Sequence, residues 1–163
     1  FITLRDFFNK KYKNFAQNTA HFGFSLLILS ILFNNLFSSE IITNLKVGET
    51  YNNSKTKIVF ESINQKTEKN YKSIIASFNI TNSEGINNNL SPELRIYNQP
   101  NITTSEADIK TTLMKDKFIV INLVQNQDYF NVRYQVKPFM LWIWLSVIMI
   151  SLGGLISFLQ KRI

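Results

Sequence analysis

The sequence predicts a membrane protein of the α+β class, in which two transmembrane helices flank a small all-β soluble domain of barrel or sandwich type. Two long apolar runs lie towards the two ends of the 163-residue chain, and their outer flanks are basic. The region between the runs contains short stretches rich in β-branched and aromatic residues, which favour strands. The chain therefore divides into a basic N-terminal segment (1–18), a first helix (19–37), a β domain (38–138), a second helix (139–159) and a basic tail (160–163).

Residues 19–37 form the first apolar run, which carries no charge and is interrupted by Asn34 and Asn35. As a helix it would be about 28 Å long, close to the hydrocarbon thickness of a bilayer. An amphipathic helix on the membrane surface and a cleaved signal peptide are alternative interpretations. Residues 22–33 are apolar around nearly the whole helix circumference, and no small-x-small cleavage site follows the run, so the sequence favours a spanning helix.

The second apolar run, residues 139–159, also carries no charge and would form a helix about 31 Å long. Phe139, Trp142 and Trp144 lie at its start, where aromatic rings favour the membrane interface. These rings could instead cover a cofactor, but an interfacial belt is the commoner role. The Gly-Gly pair at 153–154 predicts close packing against another helix.

Basic residues concentrate at the two ends: residues 1–39 carry a net charge of +3, residues 40–138 carry +2 and the tail carries +2. By the positive-inside rule, both ends lie in the cytoplasm or the mitochondrial matrix. Residues 38–138 then lie on the opposite side, in a periplasm or an intermembrane space. Because the middle region is nearly balanced, the total of +7 does not indicate nucleic-acid binding, and no nucleic-acid partner is predicted.

Five segments of the middle region have the composition of strands. They are residues 56–63, 71–81, 94–97, 118–124 and 129–136. The polar residues 64–70 predict a turn, and residues 125–128 predict a hairpin connection. Residues 104–113 predict a short helix, because Thr104 or Ser105 could cap it and acidic residues follow in its first turn.

Composition excludes several kinds of chemistry. The chain has no cysteine, which excludes a disulfide scaffold, a thiol nucleophile and thiolate-bound metal centres, and its single histidine excludes a multi-histidine metal site. Asn and Ile together make up about a quarter of the residues, far above average usage. Both have A- and T-rich codons, which favours an AT-rich genome such as an organellar one.

The single histidine, His21, lies just inside the first apolar run. An ionisable residue within a membrane helix is costly and indicates a function, and a neutral imidazole is a common axial ligand of haem iron. The small neighbours Ala20 and Gly23 could admit either a flat macrocycle or another helix. The alternative, which is commoner on spacing alone, is an interfacial histidine that bonds to a lipid headgroup or a backbone carbonyl.

Several motifs resemble, in order, the C-terminal region of the cytochrome c-type biogenesis haem lyase family, CcmF. Residues 20–23 (Ala-His-Phe-Gly) resemble the family's Ala-His-x-Gly in a transmembrane helix, and residues 92–97 (Pro-Glu-Leu-Arg-Ile-Tyr) resemble its Pro-Glu-Lys-Arg-x-Tyr segment. Further similar stretches are residues 104–109, 137–139, 142–145 and 152–154. The sequence departs from the family pattern at Leu94 and Ser146.

The resemblance implies a split or fragmentary subunit of an enzyme that attaches haem covalently to apocytochrome c. It places His21 at the position of one axial ligand of a b-type haem iron. It assigns no catalytic residue to this chain. Another subunit would supply the second axial histidine and a Trp-rich haem-handling motif, and the further partners would be apocytochrome c, a haem-delivery chaperone and membrane lipid. The alternative is a non-catalytic subunit whose β domain is an interaction module in a larger inner-membrane respiratory assembly. We expect the mitochondrial inner membrane with the β domain in the intermembrane space, or alternatively a bacterial inner membrane with the domain in the periplasm.

Overall fold

The computed structural model describes residues 4–83, 85–124 and 127–160, and within them it contains two helices and ten strands. The helices are α1 (Leu4–Phe37) and α2 (Met140–Gln160). The strands are β1 (Ser39–Leu45), β2 (Thr50–Asn52), β3 (Thr56–Thr67), β4 (Tyr71–Asn82), β5 (Asn87–Leu90), β6 (Glu93–Asn98), β7 (Asn101–Glu106), β8 (Asp108–Thr111), β9 (Lys115–Leu123) and β10 (Phe130–Pro138). The chain divides into a helical unit, which includes the short segment 112–116, and a β unit.

The helical unit consists of α1 packed against α2, and both helices are long and apolar enough to cross a membrane, over Phe15–Phe37 and Met140–Leu159. Small residues permit the packing. A Cβ atom added to Gly153 would lie 2.8 Å from the carbonyl oxygen of Ala16 and 2.9 Å from the Cβ of Ala20. Because lipid gives helices no hydrophobic reason to associate, such close backbone contact is what holds them together.

The first helix begins at Leu4, much earlier than the predicted start of the span at residue 19. The apolar run marks only the part of the helix that can enter a bilayer. The preceding polar residues, such as Lys10 and Gln17, have good helix propensity and continue the same helix.

The β unit is a sandwich of two sheets, one with the strand order β1-β10-β9-β8 and the other with the order β2-β3-β4-β6-β7, where β5 also pairs with β4. Alternate residues of β3 and β4 point into the core, and the rings of Phe60 and Phe78 stack at 4.4 Å. The other buried core residues are Leu45, Ile58, Ala76, Ile80, Leu90, Leu94, Ile119, Ile121, Val132 and Tyr134. Both sheets contribute to this one core, which confirms the predicted all-β class and selects the sandwich over the barrel.

The predicted helix at 104–113 is wrong, because these residues form β7 and β8. Thr104 pairs with Arg95 of β6 rather than capping a helix. The carboxylate of Asp108 accepts a hydrogen bond of 2.6 Å from the backbone N–H of Ser91 instead of favouring a helix N-terminus. Pairing with β6 and the β propensity of threonine therefore outweigh the local capping signals.

Each of the five predicted strands overlaps an observed strand, but the sequence missed others. The polar segment 64–70, predicted as a turn, continues β3 as far as Thr67, where it pairs with Lys72 of β4. Strands β1, β2 and β5 were also missed; β2 and β5 are only three and four residues long. Residues 125–126 of the predicted connection at 125–128 lie outside the described residues.

Candidate functional site

His21 lies in the middle part of α1, and its side chain is exposed. Ala16, Ala20 and Gly23 of the same helix meet α2. His21 follows Ala16 by five residues, a rotation of about 140° around the helix axis. The imidazole therefore projects from the side of α1 that turns away from α2.

The imidazole makes one weak polar contact among the described residues. Its Nε2 atom lies 3.5 Å from the side-chain nitrogen of Gln17, one turn earlier on the helix. The hydroxyl of Ser25, one turn later, donates a hydrogen bond of 3.0 Å to the backbone carbonyl of His21. The contact with Gln17 is long, and the bond from Ser25 involves only the backbone. The imidazole is therefore available to bind a further group on this side of the helix.

Apolar side chains lie beside the imidazole on α1, in addition to polar Gln17 and Ser25. Phe22 and Phe24 are exposed beside it, and Ile28 follows further along the same side. An exposed imidazole beside apolar side chains matches what a haem site supplies: one axial nitrogen and rings or aliphatic groups against the macrocycle. Among the described residues, no group of three or more His, Asp or Glu side chains could hold a metal ion.

Ala20 and Gly23 contact α2 rather than a space for a macrocycle. A Cβ atom added to Gly23 would lie 3.0 Å from both the Cβ of Met149 and the carbonyl oxygen of Ser146. Of the two predictions for these small neighbours, the structure supports close approach of another helix. In the Gly-Gly pair, Gly153 packs against α1, whereas a Cβ atom on Gly154 would meet nothing within 4 Å.

The aromatic residues at the start of α2 lie away from His21. Trp142 and Phe139 line a small apolar cavity with Leu29 and Phe33 of α1. These two α1 residues follow His21 by about 12 to 18 Å along the helix axis. The structure does not bring the predicted aromatic cluster and the predicted haem ligand together, and the rings' position agrees with an interfacial belt.

The sequence treated Asn34 as an interruption of the apolar run, but it has a structural role. Its side-chain amide donates a hydrogen bond of 2.6 Å to the backbone carbonyl of Pro138, and the backbone carbonyl of Asn34 accepts one of 2.6 Å from the hydroxyl of Ser38. Asn34 therefore fixes the start of the second helix against the end of the first. A lone amide in an apolar helix is the sequence signal that could have indicated such a partner.

The segment 92–97 forms a polar cluster on the β sandwich. Both guanidinium bonds from Arg95 to the carboxylate of Glu93 measure 3.0 Å, and its guanidinium carbon lies 5.3 Å from the ring centre of Tyr71. Hydrogen bonding from Arg95 lowers the pKa of Glu93. Tyr71 in turn packs against Tyr97 at 5.3 Å. The cluster braces neighbouring strands and contains no acid–base pair poised for catalysis.

Comparison with known proteins relates the chain to cytochrome c biogenesis proteins. Residues 36–138 match the family model described as the CcmF C-terminal beta-sandwich. The cytochrome c-type biogenesis proteins CcmF of Escherichia coli strain K12 and of Haemophilus influenzae are each 27% identical over 143 residues, which is 88% of this chain and 22% of the relative. The protein ccl1 of Rhodobacter capsulatus has the same identity and coverage.

A solved structure described as the cytochrome c heme lyase CcmF has the same fold. It superposes with a TM-score of 0.69 at 17% identity, over 92% of this chain and 25% of that structure. The chain thus spans about a fifth of the length of the curated relatives it matches.

Proposed function

Because the chain belongs to the family of the CcmF C-terminal beta-sandwich, we propose that it forms part of a cytochrome c haem lyase, a membrane assembly that attaches haem to apocytochrome c. The family match covers the β sandwich, and the superposition extends the similarity to both helices. The chain covers 22% of the length of these relatives, and we propose that partner subunits supply the remaining parts of the enzyme.

We propose that His21 is one axial ligand of a b-type haem in this assembly. The observation that carries this proposal is the exposure of the imidazole on the side of α1 that turns away from α2, beside the exposed rings of Phe22 and Phe24. When bound, such a haem supplies one-electron redox chemistry. In this chain His21 would provide the iron-binding nitrogen, and the 3.5 Å contact of Gln17 with its Nε2 atom would break if Nε2 is the nitrogen that binds iron.

The remaining parts of the site would come from partners. The 163 residues contain one histidine, and we propose that another subunit supplies the second axial histidine and the Trp-rich haem-handling motif. Apocytochrome c and a haem-delivery chaperone complete the proposed assembly.

For its location we propose the mitochondrial inner membrane, with the sandwich in the intermembrane space, and alternatively a bacterial inner membrane with the sandwich in the periplasm. The basic flanks of the two helices support this orientation in either membrane. The relatives named above are bacterial. The mitochondrial location therefore rests on the Asn- and Ile-rich composition.

The test compares His21→Ala with Ser25→Ala, which lies one turn away and is also exposed. Each variant is produced with its partner subunits, and the purified assembly is examined by reduced-minus-oxidised spectroscopy and by maturation of a reporter cytochrome c. We expect His21→Ala to lose the low-spin b-type spectrum and maturation, while Ser25→Ala retains both. Retention of haem and maturation by His21→Ala would refute the assignment of this ligand.

A second candidate is a non-catalytic subunit whose sandwich binds other proteins of a respiratory assembly. Exposed apolar side chains on the sandwich, Ile42, Ile102 and Ile109, favour this role. Substitution of these residues by aspartate should release the chain from its assembly in detergent, with haem content of the remaining assembly unchanged. Under the first proposal, the same release would be accompanied by loss of haem.

A further inference from the structure

The turn between β8 and β9 presents two adjacent apolar side chains to the surroundings. Leu113 is 60% exposed and Met114 is 53% exposed. The flanking polar residues close the turn: the N–H of Thr112 donates to the carbonyl of Lys115 at 3.1 Å, and the N–H of Lys115 donates to the hydroxyl of Thr112 at 3.2 Å. These hydrogen bonds hold the turn that exposes the two apolar side chains.

This turn is hydrogen-bonded to the start of α2. The indole N–H of Trp142 donates to the carbonyl of Leu113 at 3.0 Å, and the backbone N–H of Phe139 donates to the carbonyl of Met114 at 2.8 Å. Phe139 has a φ of +59°, a conformation that is uncommon for residues other than glycine, and its ring packs against Phe33 at 5.2 Å. Several contacts therefore fix the turn to the first residues of the helix.

The bonds to α2 set the depth of the turn in a membrane. The span begins at Met140, so Trp142 lies about 3 Å inside it, close to the boundary between the hydrocarbon core and the headgroup region. Tryptophan also prefers this region. The carbonyl of Leu113 accepts a hydrogen bond from the indole of Trp142 and must therefore lie at nearly the same depth.

We propose that Leu113 and Met114 insert into the lipid interface and form a second membrane contact beside the helices. The partner is the bilayer itself: two exposed apolar side chains lie at interfacial depth, and polar Thr112 and Lys115 lie at the base of the turn. This arrangement anchors the β8–β9 connection at the membrane surface, independently of haem binding by His21.

The experiment exploits the absence of native cysteine. Leu113→Cys and Met114→Cys are each spin-labelled in the full chain, which is reconstituted in vesicles of phosphatidylcholine and phosphatidylglycerol. The matched control is Ile86→Cys, because Ile86 is 52% exposed but lies in a polar loop followed by three asparagines. Collision of each label with oxygen, which concentrates in lipid, is compared with collision with a water-soluble nickel chelate.

We expect oxygen collisions to exceed nickel collisions at positions 113 and 114, and the ratio to reverse at position 86. Thermal unfolding of the labelled chains should match that of the unmodified chain, which verifies folding. Access of nickel to all three labels would overturn the proposal. Protection of 113 and 114 from both reagents would also overturn it, since a protein would then cover the turn.

Discussion

Replacing Gly153 by alanine tests the packing of the two helices directly. The added Cβ atom would lie 2.8 Å from both the carbonyl oxygen of Ala16 and the backbone nitrogen of Ala20, whereas ordinary van der Waals contact begins at 3.4 Å. Because these neighbours are backbone atoms, they cannot rotate away as a side chain could. The helices would have to separate by about 0.6 Å at this point, the difference between 2.8 and 3.4 Å.

Overpacking of this kind costs about 1–3 kcal/mol in well-packed proteins, so we expect Gly153→Ala to lower the free energy of unfolding by that amount. Gly154→Ala is the matched control. Its Cβ would meet nothing within 4 Å, and alanine favours a helix over glycine by about 0.5–1 kcal/mol, so its stability should stay equal or increase.

The assay is titration of the detergent-solubilised chain with sodium dodecyl sulfate, followed by tryptophan fluorescence. Both tryptophans of the chain, Trp142 and Trp144, lie on α2, so the signal reports the surroundings of that helix. The unfolding midpoint of Gly153→Ala should fall to a lower detergent fraction than that of Gly154→Ala. Equal midpoints for the two variants would refute the close backbone contact.

Three further predictions concern polar and titratable groups. Asn34→Leu removes the 2.6 Å hydrogen bond to the backbone carbonyl before α2 and should lower the free energy of unfolding by about 1 kcal/mol in the same titration. The control Asn35→Leu, at an exposed position, should lower it little. Equal losses of stability in the two variants would contradict the role of Asn34. Because Arg95 lowers the pKa of Glu93, the carboxylate stabilises the fold above its ordinary pKa, about 4.3, and this contribution is lost as the pH falls through the lower native pKa. Glu93→Gln should therefore flatten the acid side of a plot of thermal midpoint against pH, and an unchanged acid side would count against the ion pair. Burial raises the pKa of Tyr134 to about 12, so the stability of the fold should decrease as the pH rises from about 10 towards that value. Tyr134→Phe should reduce this loss of stability at alkaline pH. Identical plots of thermal midpoint against alkaline pH for the two proteins would contradict the burial effect.

The sequence predicted those parts of the fold whose signals are local. An uncharged apolar run of about 20 residues can be satisfied only by a spanning or buried helix. The dense β-branched and aromatic residues of 71–81 match β4 because this strand supplies the core with Phe78 and Ile80. The helix predicted at 104–113 failed because its capping candidates, Thr104 and Ser105, pair with Arg95 and Leu94 of β6, and a capping signal does not show this pairing between strands.

The candidate site was predictable by residue type but not by geometry. His21 stands out because it is the only histidine and lies in a membrane segment. The position of His21 relative to α2 depends on which side of α1 packs against α2. The apolar run of α1 has no periodicity that would show that side. The contact with Gln17, by contrast, has the spacing of four residues that places side chains together on a helix, and the sequence alone could have indicated it.

The geometry of α1 separates two roles that the sequence places within a few residues of each other. One side, through Ala16 and Ala20, holds α2, and the other side presents His21. If the proposed haem role is correct, the two sides should fail independently. Gly153→Ala should lower the detergent midpoint while the surviving assembly keeps its b-type spectrum, and His21→Ala should lose the spectrum while keeping the midpoint. Loss of both properties in either variant would contradict the independence of the two sides.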